Sequence, residues 1–328
     1  MSPDTLPRVV SLEAGVAMVV TDLHGDWDAY ARYRDRFLTL QARCQADYLI
    51  FTGDLIHNDG LPQDDRSLDI MLDVLRLKET QGERLIYLLG NHELPHLYGI
   101  TLQKGSHLYT PSFEAALGER RGAVMSLFDG LPFYVRTRAG VSICHAGAAA
   151  EMSDTDAAMR IFNHSHRRVL DEIAATVPID QRPALRRAID KLNDESYDEM
   201  ARRYLAVSGP DDPRYDDLLI GLFTDQQADF ELLWAAFFTR NEQQYGERNY
   251  DIFLDDLLRH LSAGFHEQTV MVTGHLACRD GYTLVGKRQL RLASGSHAHP
   301  RSSGRCLLFD VEKPLERDEL LNGLESVM

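Results

Sequence analysis

Short apolar runs recur along this chain, and each closes on a polar residue. Val16-Ala17-Met18-Val19-Val20-Thr21 runs into Asp22-Leu23-His24-Gly25-Asp26, and Tyr48-Leu49-Ile50-Phe51-Thr52 into Gly53-Asp54. Leu85-Ile86-Tyr87-Leu88-Leu89 leads to Gly90-Asn91-His92-Glu93. Val141-Ser142-Ile143-Cys144 ends at His145, and Val270-Met271-Val272-Thr273 at Gly274-His275. Runs of this length, rich in β-branched and aromatic residues and bounded by Gly, predict buried strands. If the strands share a sheet, their ends carry Asp22, His24, Asp54, Asn91, His145 and His275 to one edge.

Between these runs the period changes from two to that of a helix. Residues 26–42 and 67–80 carry apolar positions at helical spacing, with Ser67 as the expected N-cap of the second. Strands alternating with helices through residue 147 predict an α/β layer fold. Over 148–238 strand signals give way to charged amphipathic helices, such as 183–205, and Gly209-Pro210-Asp211-Asp212-Pro213 reads as a loop. Strand signals return at Thr269, Tyr282-Thr283-Leu284-Val285, Leu290-Arg291-Leu292 and Cys306-Leu307-Leu308-Phe309. The expectation is one domain over 1–328, with 148–238 a helical insertion or cap and the acidic tail from Leu315 peripheral.

Bulk properties narrow the classes. With 328 residues, 44% hydrophobic and 26% charged, the chain is long enough and apolar enough for a sizeable core. A formal charge of −15 argues against stable nucleic-acid binding but leaves phosphorylated substrates open, because bound cations reverse the field locally. No apolar stretch is long enough to span a membrane, and Met1-Ser2-Pro3-Asp4 lacks the order of a signal peptide. Cys44, Cys144, Cys278 and Cys306 form no CxxC pair and read as reduced thiols, so a cytoplasmic location is expected.

The ligand types suit two divalent ions roughly 3.5–4 Å apart, an arrangement that clamps a phosphoryl group and activates water. Asp22 and His24, at i and i+2 where a strand ends, fit one ion. Asp54, alone at its strand end with two oxygens, is the natural bridge. Asn91, His145 and His275 fit the second. Mixed N and O ligands without thiolate favour Mn, Fe or Zn, with Ni and Co also suited, over a structural zinc centre. His92 follows a ligand directly and is suited to protonate a departing alkoxide. Its tautomer needs a partner, and Asp59 or His57 on the loop after Asp54 are the candidates, Asp59 being the one assigned.

In this order, Asp22-Leu23-His24-Gly25, Gly53-Asp54, Gly90-Asn91-His92-Glu93, His145-Ala146-Gly147 and Gly274-His275 resemble the motif set of the calcineurin-like metallophosphoesterases. The likeness is nearest to the Ser/Thr phosphoprotein phosphatase branch, bacterial members included. The run from His275 to Asp280-Gly281-Tyr282 has that branch's ending, and residues 292–304 resemble its loop facing the active site. The resemblance covers roughly 17–147 and 269–311. It implies an αβ sandwich of two mixed sheets flanked by helices, two metals, and hydrolysis of phosphate monoesters by a metal-activated hydroxide, with His92 as general acid. The branch reads Gly-Asp-x-x-Asp-Arg-Gly after the second strand, whereas His57 and Asn58 stand here in place of that second Asp and the Arg. The Arg grips substrate phosphate in the branch; Arg240, shortly after Trp234, is the expected replacement, and Arg248 the second choice.

Other residues have plainer readings. His164 and His166, at i and i+2 on a helix, fall on different faces. Asp64-Asp65 reads as a solvated turn, Trp234, Phe237 and Phe238 as core, and His297 and His299 as pocket lining or surface loop. Two alternatives accompany the phosphatase reading: a nucleotide or dinucleoside polyphosphate hydrolase, and a metal-binding module without turnover.

Overall fold

A computed structural model describes residues 6–60, 62–240 and 242–328, and shows two mixed sheets flanked by helices. The six-stranded sheet runs in the order β1 (Val9–Leu12), β7 (Tyr134–Thr137), β8 (Val141–Cys144), β9 (Val270–Thr273), β12 (Gln289–Leu292) and β11 (Tyr282–Val285). The five-stranded sheet runs β15 (Leu324–Ser326), β14 (Arg305–Asp310), β2 (Val16–Val20), β3 (Tyr48–Phe51) and β4 (Leu85–Tyr87). Two short pairs lie apart from these: β5 (Gln103–Lys104) with β6 (His107–Leu108), and β10 (Cys278–Arg279) with β13 (Ala298–His299). The strands β2, β3 and β4 are mutually parallel, as are β8, β9 and β12, so their carboxyl ends fall together.

The side-chain alternation of the strands sorts the core. Ala17, Val19, Ile50 and Ile86 from one sheet pack with Val141, Ile143, Val270, Val272, Leu290 and Leu292 from the other. Both faces of the central strands are buried, which is why they read as continuous apolar runs.

The chain folds as two compact units. The first holds both large sheets and comprises the described residues up to Asn91, Leu131–His164 and Leu232 onward; the second is His92–Gly130 with Ser165–Glu231. Among the described residues no strand occurs between Cys144 and Val270. In the second unit, Val177, Tyr197, Ala201, Leu205 and Leu219 form a separate core.

Several expectations need correction. Ser67 lies inside the helix Ser67–Gln81 and is not its N-cap; Asp65 accepts from the Ser67 amide at 2.9 Å and from its hydroxyl, so this residue is a capping group, not a merely solvated turn. The Ser67 hydroxyl accepts in turn from the His57 amide at 2.8 Å. The helix expected over 183–205 is two, Arg182–Leu192 and Tyr197–Leu205, because Ser196 and Glu199 form a capping box that restarts it. His164 precedes the helix His166–Thr176, so the two histidines do not share one helix. The tail is not peripheral: Leu324–Ser326 extends the second sheet as β15, and Leu320 is buried in the sandwich. No helix among the described residues is long and apolar enough to cross a membrane.

Two carboxyls of the second unit titrate in opposite senses. Burial would raise Glu114, but His96 Nδ1 at 2.8 Å and Arg121 Nε at 2.7 Å hold it down at about 2. Burial pushes Asp217 up to about 6, against the pull of Arg121 and Arg214. A folded carboxyl with a raised pKa binds its proton more tightly than the unfolded chain does. Its penalty is therefore absent below pH 4 and complete above pH 6. Asp217→Asn is expected to stabilise the protein by about 2 kcal/mol at pH 8 and to change little at pH 4, measured by urea unfolding. Equal stability of the two proteins at pH 8 would contradict this assignment.

Candidate metal centre

Each candidate ligand of the first unit stands at a strand end, and several are held by an unusual backbone. Asp22 (φ 37°), His24 (46°), Asp54 (53°) and His275 (70°) all occupy the left-handed region, which non-glycine residues seldom adopt. Such departures cluster where function over-determines the chain. Here the Leu23 and His24 amides both donate to the Asp54 carbonyl, at 3.0 and 2.9 Å, locking the turn after β2 onto the end of β3.

Glycine allows the close approaches. A Cβ on Gly53, itself at φ 104°, would stand 2.5 Å from the Gly90 Cα, so the ends of β3 and β4 meet this closely only because residue 53 lacks a side chain. A Cβ on Gly274 would fall on the Asp22 carboxylate. Without it, the His275 amide donates to both Asp22 oxygens at 2.9 and 3.0 Å.

Within the first unit two candidate ligand clusters result, Asp22 with His24 and His297, and Asp54 with His145 and His275; within each, the donor atoms lie within 4.8 Å of one another. In the second, His145 Nε2 is 2.7 Å from Asn91 Oδ1 and 3.1 Å from His275 Nδ1, and His275 Nδ1 is 2.9 Å from Asn91 Oδ1. His145 Nδ1 lies 2.9 Å from the Thr52 carbonyl, which can only accept. The hydrogen of His145 therefore sits on Nδ1, and Nε2 turns a lone pair toward the Asn91 oxygen. Asp54 Oδ2 stands between the clusters, 3.5 Å from His145 Nε2 and 3.8 Å from His24 Nε2.

The electrostatics match. Burial, reinforced by His297, lowers His24 to about 3, and burial also lowers His145 and His275. Asp22 is raised by burial but held well below the usual carboxylate range by His297, then by His145 and His24. Neutral imidazoles, ionised carboxylates and an amide oxygen are the donors that divalent Mn, Fe or Zn take. The residues present fit such ions.

The remaining candidates are placed as follows. His92 opens the second unit, its ring edge-on to Tyr109 at 5.2 Å. His57 is buried at φ 71°, and Asp59 is exposed on the same loop. Arg240 and Arg248 are both exposed. Phe237 is buried, and Trp234 stacks on Phe238 at 3.7 Å. His299 is exposed, whereas His297 belongs to the first cluster. From sequence, His297 reads equally as pocket or surface, since no fixed spacing from the other ligands marks it.

The family model of the calcineurin-like phosphoesterases matches residues 16–205, more than half of the chain, and the chain belongs to that family. It is accordingly a hydrolase of phosphoester bonds, of a family that uses divalent metal ions. Among solved structures, a protein serine/threonine phosphatase from Saccharomyces cerevisiae is similar at 15% identity, covering 93% of this chain and 78% of its own, with a TM-score of 0.50. A cold-active protein-tyrosine phosphatase of a psychrophilic Shewanella is similar at 15% identity over 98% of this chain and 84% of its own, with a TM-score of 0.46. The yeast likeness is one of fold. No curated protein matches the sequence.

Proposed function

We propose that this protein hydrolyses phosphate monoesters in the manner of a protein Ser/Thr phosphatase, with two divalent ions as cofactors. Asp22, His24 and Asp54 hold one ion; Asp54, Asn91, His145 and His275 hold the other. The observation that carries this reading is the Asp54 carboxylate, within 4 Å of an imidazole of either cluster. Ions bound there supply Lewis acidity toward a phosphoryl oxygen and lower the pKa of water enough to provide a nucleophile near neutral pH. His92 delivers a proton to the leaving oxygen, and Asp59 fixes its tautomer. Manganese, iron or zinc suits the donors, and the four unpaired cysteines, three of them buried, favour a reducing cytoplasm.

Phosphate release from an aryl phosphate, with each transition metal added in turn, tests the reading. A folded protein that is inactive with every metal would refute it and leave the metal-binding module. The nucleotide or dinucleoside polyphosphate reading is supported by Asn58, which stands where the phosphoprotein phosphatases carry Arg. Turnover of phosphopeptides against diadenosine polyphosphates, under the same metal, decides between the two.

Arg240 takes the phosphate-gripping role in this reading, because a guanidinium fork matches phosphate oxygens in pairs. Arg240→Ala is expected to lower kcat/KM by about 10–100-fold, the worth of a charge-assisted hydrogen bond or two. Arg248→Ala is expected to leave it within about twofold; the opposite pattern would move the role to Arg248.

A further inference from the structure

We infer that a cavity in the second unit is a binding site for a small organic cation, a protonated amine carried on an apolar body. The cavity measures about 500 Å³, within the range that holds small molecules. Every residue lining it belongs to the second unit, and none is a proposed metal ligand. Four helices wall it: Leu94–Tyr98, Arg121–Asp129, His166–Thr176 and Asp217–Gly221. On the third of these, Arg167, Leu170, Asp171 and Ala174 stand three or four residues apart and so share one face.

The charge and polarity of the lining select the ligand. Leu97, Met125, Leu170 and Ile220 are half-buried and give the walls their apolar surface. The lining arginines are already paired: Arg121 Nε lies 2.7 Å from Glu114 Oε2, and Arg167 Nε 3.0 Å from Asp171 Oδ2. His96 is paired as well, its Nδ1 2.8 Å from Glu114 Oε1. The Asp217 carboxyl, by contrast, has neither a hydrogen bond nor an ion pair among the described residues. An anion would have to displace a carboxylate from its arginine, whereas a cation finds Asp217 open.

The backbone fixes Asp217 at the wall. A Cβ on Gly99, at φ 63°, would stand 2.7 Å from the Asp217 carbonyl oxygen, and one on Gly221 would stand 2.7 Å from the Gly99 carbonyl oxygen. Residues 99 and 221 must both lack side chains for these two short helices to close on each other. Burial pushes the Asp217 carboxyl up against the pull of Arg121 and Arg214, with Glu114 and Asp212 adding to the rise. A cation beside it favours the ionised form, so binding and ionisation support each other. A bound cation also offsets the stability that Asp217 costs above pH 6.

Titration calorimetry on the full chain tests the site, with n-hexylammonium as the probe and 1-hexanol and hexanoate as its neutral and anionic counterparts. The probe keeps its charge between pH 5 and pH 8, as a lysine does. At pH 8 it is expected to bind with a dissociation constant near or below about 1 mM, and the two counterparts at least about tenfold more weakly. At pH 5 its affinity is expected to be about tenfold lower, because the carboxyl takes up its proton near pH 6. Asp217→Asn is expected to bind the probe at least about tenfold more weakly at pH 8, with no change between the two pH values. Met125→Trp keeps the carboxyl but fills the cavity, and is expected to abolish binding. Wild-type affinity in either variant, hexanoate bound more tightly than hexylammonium, or no binding of the probe by folded wild type would overturn the site.

Discussion

Asp54→Asn is expected to reduce phosphate release by about four orders of magnitude and to lower the bound metal from two ions per chain to one or none. The Asp54 carboxylate is placed toward both clusters, 3.8 Å from His24 Nε2 and 3.5 Å from His145 Nε2. Losing its charge weakens each site and the repulsion-relieving bridge between them, whereas losing His24 alone touches one site. The variant is clean in two respects. Asn is nearly isosteric with Asp and tolerates the left-handed backbone at φ 53°, so it adds no strain. Asn also keeps the volume of the Asp54 side chain, so the melting temperature of the metal-free variant should stay close to that of metal-free wild type. Retention of two ions with activity within about tenfold of wild type would refute the bridging role.

How far the sequence leads depends on how local each feature is. The strands that carry the site are buried on both faces, so they appear as unbroken apolar runs, and the Gly or polar residue that ends each run is itself a candidate ligand or its neighbour. The strands β1 and β7 are not legible in the same way. In β7 the run is interrupted by Arg136, whose guanidinium is satisfied by Ser11 Oγ and by the Leu261 and Ala263 carbonyls, partners far away along the chain. The final strand, Leu324-Glu325-Ser326, is too short and polar to stand out, and it exists because β14 offers an edge. His297 is the same case at the site. Its nearness to Asp22 comes from the glycine-permitted approach of two chain segments, and no spacing in the sequence encodes that. The second unit begins at His92, next to the candidate ligand Asn91, where the alternation of strands and helices gives no sign of a boundary.

His92→Asn is the second large effect, and its signature is a dependence on the leaving group. A general acid contributes typically about 10²–10⁴-fold, and most where the departing oxygen is a poor leaving group that cannot bear negative charge. On an alkyl phosphate such as phosphoserine the variant is expected to lose about 10²–10³-fold in kcat. On a nitrophenyl phosphate, whose phenolate departs unaided, the loss should stay within about tenfold. Asn91, the neighbouring residue assigned as a ligand in the proposed function, is untouched, so metal content is expected to match that of wild type. The same variant distinguishes the acid from a structural histidine packed on Tyr109. Loss of that packing would lower the melting temperature and depress both substrates equally. Equal loss on the two substrates, or departure of a metal ion, would remove His92 from the proton-transfer step.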